Sequence, residues 1–231
     1  MKILAIESSG RCASAALLSD GMIKGEYTLD TGLTHSETLL PLTDSLLKGT
    51  GGEKPDVIAV SAGPGSFTGL RIGAAMVKGL ADGWKAGVIA VPTLEALAYR
   101  FYGYEELICP LMDARRGQVY GGVYTFAEGN KLETLRTGGA YELKEVLEYI
   151  NGIGKKVIFL GDGTDRYEEV IKEEVKVPFL IAAPHKRYQS AACVAMYAYE
   201  AGEEKVIPAQ AFVPEYMRMS QAERERAEKG E

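Results

Sequence analysis

Taken first as a string of apolar and polar positions, the chain opens on a short apolar run, residues 2–8 (KILAIES), that closes in polar side chains and predicts a buried strand. Residues 12–18 (CASAALL) and 22–29 (MIKGEYTL) predict two more strands, joined through Ser19-Asp20-Gly21, where Asp-Gly favours a tight hairpin. The period then changes. Thr34, with Glu37 three residues on, makes a capping box, and Leu39, Leu42 or Thr43, Leu46 and Leu47 give a helical apolar stripe. Pro41 cannot donate its intrahelical hydrogen bond and predicts a kink; Gly49-Thr50-Gly51-Gly52 ends the helix. A further strand, 56–62 (DVIAVSA), runs into GPGSFTGLR (63–71) and a helix rich in small residues, among them Gly69, Gly73, Ala74, Ala75 and Gly79, ending near Gly83. VIAV (88–91) and a helix from Thr93 to near Tyr99 complete the first half.

The second half repeats this plan. Residues 108–126 (ICPLMDARRGQVYGGVYTF) match 3–21 in layout, each an apolar strand ending in an acid, Asp113 or Glu7, then a polar turn and a hairpin strand. KVIFLGDG (156–163) parallels DVIAVSAG (56–63), with a helix over 140–150 before it and another near 189–201 after it. A period of roughly 100 residues is too long for a solenoid. Strand-strand-strand-helix-strand-helix is also the wrong order for a simple alternating nucleotide-binding unit. It fits a ribonuclease-H-like lobe present twice, the α/β arrangement of the actin/sugar-kinase/Hsp70 superfamily, with a mixed five-stranded sheet per lobe. The expected division is a first lobe over 1–104, a degenerate second lobe over 105–218 and a charged tail, 219–231 (MSQAERERAEKGE), frayed at the end.

Composition narrows the classes. Of 231 residues 46% are apolar, enough for a packed interior, and 25% are charged, which argues against disorder. A net charge of −6 lacks the basic excess with which a freestanding nucleic-acid binder grips phosphates, so RNA is expected only through a complex. Cys12, Cys109 and Cys193 are odd in number and far apart, which reads as buried thiols in a reducing compartment. Glu7 interrupts the opening run too early for a signal peptide, and no apolar stretch approaches a membrane span; the cytoplasm is the expected location.

Chemistry could reside in few places. In GPGSFTG, Gly63 and Gly65 open a loop onto a helix N-terminus, which suits a phosphate or adenylate contact, although the Lys-Ser/Thr ending of a P-loop is absent. The same glycines equally allow a tight turn, and Gly69 and Gly73, one turn apart, let another backbone approach, either a second subunit or the other lobe. His35 is too solitary for a zinc site and reads as a partner or interlobe contact, or as part of the cap. Glu7 and Asp113, at strand ends, occupy the place of a magnesium or catalytic carboxylate, or else hold their turns. Gly161-Asp162-Gly163 reads as a vestigial nucleotide loop. Arg115 or Arg116 either pairs with Asp113 or faces a phosphate or an acidic partner. Tyr99, Tyr102, Tyr104, Tyr120 and Tyr124 cluster in sequence and most simply pack. Ser66 lacks a nucleophile elbow and His185 lacks a nucleophile to serve.

ILAIESS (3–9), HSETLLP (35–41), SAGPGSFTGLRIG (61–73), LEALA (94–98), DARRGQVY (113–120), GDG (161–163) and PEYMR (214–218) together resemble the bacterial TsaB family, in order and over nearly the whole chain. Met217 stands where relatives more often carry leucine. TsaB-like proteins are similar to TsaD, which moves a threonylcarbamoyl group from an adenylate to the adenosine beside the tRNA anticodon. TsaD holds a metal with two histidines in a Val-Asn-His-Leu-Glu-Gly-His pattern; the matching stretch here is Val91-Pro92-Thr93-Leu94-Glu95-Ala96-Leu97, with Thr93 and Leu97 at the histidine positions. The resemblance therefore implies a non-catalytic partner and scaffold for TsaD, assembling with the ATPase TsaE, and a homodimer when TsaD is absent. The implied partner surface is the two first-lobe helices, with His35, Glu37, Leu39, Ser66, Phe67, Gly69, Leu70, Arg71, Gly73 and Val77 as its candidates. Glu7, Gly63, Gly65, Asp113 and Arg115 are candidate nucleotide or phosphate contacts. No metal or cofactor is expected of the lone chain; ATP or ADP and magnesium would belong to the larger complex. The competing expectation is a small kinase-like or peptidase-like enzyme using the cleft between the lobes.

Overall fold

Two runs of three strands followed by a helix shape the computed structural model, which describes residues 1–115 and 117–217. Arg116, Arg218 of the PEYMR motif and the charged tail lie outside the described residues. The first run is β1 (Lys2–Glu7), β2 (Ala13–Ser19), β3 (Met22–Leu29) and α1 (His35–Gly49). β4 (Val57–Gly63), α2 (Phe67–Trp84), β5 (Gly87–Pro92) and α3 (Thr93–Ala98) follow. The second run is β6 (Leu107–Asp113), β7 (Gln118–Phe126), β8 (Leu132–Glu142) and α4 (Leu143–Ile153). After it come β9 (Val157–Leu160), α5 (Asp162–Arg166), α6 (Glu168–Glu174), β10 (Phe179–Ile181), α7 (Pro184–Arg187) and α8 (Ala191–Ala201).

Each run makes one five-stranded mixed sheet. The first has the order β3-β2-β1-β4-β5, the second β8-β7-β6-β9-β10, so the two share one topology. In both, the first three strands pair antiparallel and the other two join parallel to the first. This is the ribonuclease-H-like lobe twice over, the actin/sugar-kinase/Hsp70 fold. Local signals act where the sequence puts them: the Glu37 carboxylate accepts the Thr34 N–H at 3.0 Å and closes the cap of α1, and the helix runs from His35 to Gly49 through Pro41.

The lobe boundary departs from the expected division. α3, placed by sequence in the first lobe, buries Leu94, Leu97 and Ala98 with Ile108, Met112, Tyr124, Phe126, Ile158 and Leu160 of the second sheet. α8, placed in the second lobe, buries Ala191, Val194, Ala195 and Ala198 against Ile3, Ala5, Ala16, Val57 and Ile89 of the first. The expected second lobe of 105–218 therefore gives back its end: Ile207 pairs with Val88, Phe212 enters the first core and the Glu215 N–H bonds to the Ala62 carbonyl at 2.7 Å. Helix periodicity shows that a face is apolar but not which sheet covers it. Among the described residues no helix is long and apolar enough to cross a membrane.

Candidate functional site

The turn that leaves β1 is where most of the sequence candidates meet. Glu7 is buried, and its Oε1 accepts the Ser9 N–H and the Ser9 hydroxyl, both at 2.6 Å, while its other oxygen accepts the Ser61 hydroxyl from the end of β4. Parallel pairing of β1 with β4 brings Ser61 there from 54 residues away. Burial raises the Glu7 pKa above its ordinary value, against the lowering effect of those hydroxyls, the Ser9 N–H and nearby His35. One turn on, the His35 Nε2–H donates to the Gly10 carbonyl at 2.9 Å. His35 thus fastens the start of α1 to the β1–β2 turn, and Glu37, spent on Thr34, stays exposed beside it.

The glycine loop packs onto this same turn. A Cβ on Gly65 would strike Ser9, one on Gly69 would fall inside the Ser8 carbonyl oxygen, and one on Gly73 would overlap the Ser8 hydroxyl. Gly63, at φ 127°, passes equally close to the Glu215 carbonyl. The Ser66 N–H donates to the Ser9 carbonyl at 2.7 Å, and the Ser66 hydroxyl caps α2 by accepting the Gly69 N–H at 3.2 Å. What approaches Gly69 and Gly73 is therefore Ser8 of this chain, its carbonyl at the first and its hydroxyl at the second. Leu39, Gly69, Leu70, Gly73 and Val77 are all buried within the protomer and present no side chain to a partner, which corrects their placement as interface residues. Of the ten candidates, His35, Glu37, Ser66, Phe67 and Arg71 reach the surface. Phe67 stacks on Tyr216 (4.6 Å between centroids) and the Arg71 guanidinium lies 3.8 Å over the Phe67 ring.

The face of α2 that does reach solvent is different. Ala75, Gly79 and Gly83, four residues apart, are exposed, with partly buried Ile72, Met76 and Leu80 flanking them; a Cβ on Gly79 or Gly83 would meet open space. This stripe was missed because small residues line both sides of the helix.

At the matching strand end of the second sheet, Asp113 accepts the Arg115 N–H at 2.8 Å and pairs with Arg166 at 3.2 Å. Among the described residues the guanidinium on Asp113 is that of Arg166, while Arg115, at φ 61°, turns the chain and lies exposed; the other candidate, Arg116, lies outside them. Gly161 and Gly163 let β9 leave hard against the Leu111 backbone of β6. Burial raises the pKa of Asp162 between them, and its Oδ1 has no partner among the described residues. Thr93 and Leu97, the positions compared with metal-binding histidines, are both buried, Leu97 among apolar side chains. No group of three His, Cys, Asp or Glu among the described residues is placed to hold a metal. Of the first-lobe candidates for a nucleotide contact and their neighbours, both Glu7 oxygens and the Ser66 and Gly69 N–H groups make hydrogen bonds within the chain.

Comparison with known proteins gives consistent relatives. Residues 30–226 match the family model "TsaD: tRNA N6-adenosine threonylcarbamoyltransferase". The tRNA threonylcarbamoyladenosine biosynthesis protein TsaB of Bacillus subtilis is 34% identical over 96% of both chains, and that of Escherichia coli is 30% identical over 75% of this chain and 76% of its own. A Pseudomonas aeruginosa crystal structure described as similar to the peptidase YeaZ superposes with a TM-score of 0.77 at 27% identity, covering 94% of this chain and 99% of the other. YeaZ of the same organism gives 0.75 at 25% identity, over 93% and 99%.

Proposed function

Because the chain belongs to the TsaB (YeaZ-like) family, we propose that it serves tRNA threonylcarbamoyladenosine biosynthesis as a non-catalytic partner of a TsaD-type transferase. The non-catalytic part is carried by one observation: the carboxylate at the β1 end is buried and both its oxygens are taken by Ser9 and Ser61. A group acting as general base or magnesium ligand needs a lone pair facing its substrate. Glu7 faces its own turn, and Thr93 and Leu97 supply no imidazole in the second core.

The docking surface in this reading is the exposed side of α1 and α2. Ala75, Gly79 and Gly83 would let a partner helix approach closely, and Ile72, Met76, Leu80 and exposed Leu40 would supply the apolar area that small residues lack. The same face would pair two copies of this chain when the transferase is absent. A TsaE-type ATPase, ATP or ADP with magnesium, and the tRNA would then be engaged by the assembly.

Reconstitution tests this. Mixed with a TsaD-type transferase, the chain is expected to co-elute with it and to raise the yield of threonylcarbamoylated tRNA, while producing none alone. A transferase that works equally well without the chain, and elutes apart from it, would refute the proposal.

A further inference from the structure

The segment that carries the chain from the second lobe back to α8 is fastened to both lobes by three consecutive residues. The Tyr188 hydroxyl donates to Asp165 of α5 at 2.5 Å, and Arg187 of α7 pairs with the other oxygen of that carboxylate. Across the gap, Arg11 of the β1–β2 turn lies over the Tyr188 ring, 4.8 Å from guanidinium carbon to centroid, and is itself held by Asp30 at 2.8 Å. Next, the Gln189 side chain sits directly on Gly10, in the space a Cβ there would need. Then the Ser190 hydroxyl donates to Glu26 of β3 at 2.5 Å. Arg100, beyond α3 on the other crossover, donates to the Tyr188 carbonyl at 3.0 Å and the Gln189 carbonyl at 3.4 Å, pinning the two crossovers together.

Gln189 is the odd member of this set. It is 1% exposed, and neither its Oε1 nor its Nε2 has a hydrogen-bond partner among the described residues. Its neighbours Tyr188 and Ser190 both satisfy their side chains, so the connector is not simply short of polar groups. A buried primary amide without partners opposes the arrangement that buries it. Something must hold the β1–β2 turn against it. The side-chain contact that spans from that turn to the connector directly beside Gly10 is Arg11 on Tyr188.

We infer that Arg11 on Tyr188 is a latch closing the two lobes over Gln189, and that the chain has an open state in which the Gln189 amide reaches water. The lobes part as the Arg100-pinned crossovers draw back from the β1–β2 turn, which stays fastened to α1 and α2 through His35 and Ser66. The latch and the buried amide act in opposite directions on one equilibrium, and that opposition makes the device testable on the full chain alone, independently of any partner.

The measurement is amide hydrogen exchange of residues 8–12 and 188–190, with the β1 core amides of Ile3–Ile6 as reference. Arg11→Ala should speed exchange of the two turn segments by about two- to fivefold, the size of an exposed cation–π contact. Gln189→Met, which keeps the bulk and removes the unsatisfied amide, should slow it by about tenfold. Unchanged exchange in Arg11→Ala, or faster exchange in Gln189→Met, would overturn the inference. Equal acceleration of the β1 core would overturn it as well, because the contact would then belong to the fold and not to a latch.

Discussion

Glu7 shows how a residue that looks reactive can be structural. Its pKa is raised above the ordinary 4.5 by burial, so the folded chain keeps this proton to higher pH than the unfolded chain does. Stability from this group therefore falls as pH rises from 4.5 through the folded value and levels off above it. Replacing Glu7 by Gln removes that loss. Urea midpoints from about pH 4 to about pH 8 should move in favour of Glu7→Gln as pH climbs through this window, and two parallel profiles would contradict the assignment. The sequence made the strand-end position of Glu7 legible, and its partner Ser9 stands two residues away. The distant Ser61 and the burial were not legible, because they come from β1–β4 pairing and from the loop that closes on the turn. Capping by Thr34 and Glu37 was fully legible, since it depends on neighbours only.

At the scale of helices and strands, hairpin turns, strand runs and helix starts could be read along the chain because each is set by local spacing. The buried side of α2 could not. Gly69 and Gly73 on one side and Ala75, Gly79 and Gly83 on the other are chemically alike, and the packing of Ser8 against the first pair distinguishes them. α8 raises a related issue: what fixes a helix to a sheet laid down more than a hundred residues earlier. Its N-terminus sits on Glu26 of β3, whose Oε1 accepts the Ser190 hydroxyl at 2.5 Å and the Ala192 N–H at 3.1 Å. The adjoining Ala191 N–H donates to the Ser14 hydroxyl at 3.1 Å. An acid at a helix N-terminus with charge-assisted bonds is stabilising. Glu26→Ala should therefore cost about 1–2 kcal/mol in chemical denaturation. A change within error would mean that α8 is held by its apolar face alone.

For the molecule as a whole, the two glycine rows of α2 separate folding from docking. Gly69→Ala places a Cβ inside the Ser8 carbonyl and should lower stability by about 1–3 kcal/mol in the isolated chain. Gly79→Trp enters open space and should leave stability within about 0.5 kcal/mol, while abolishing co-elution with the transferase. If Gly79→Trp binds as well as the parent, the docking surface lies elsewhere. The repeat of strand orders, visible as two similar stretches of sequence, gave away the doubled architecture. The crossing of α8 to the first lobe, and the seat of α3 between both sheets, left no trace in local pattern.

The crossing of α8 also bears on the order of events at the ribosome. The emerging first half carries an apolar sheet face, Ile3, Ala5, Ala16, Val57 and Ile89, whose cover is encoded in residues 191–198. Domains ordinarily fold as units from the N-terminus during synthesis. Here the leading half must wait, with that side covered only in part by Ala96 of α3, until nearly the whole polypeptide has been translated, and a nascent chain halted before α8 would be a natural client for chaperones.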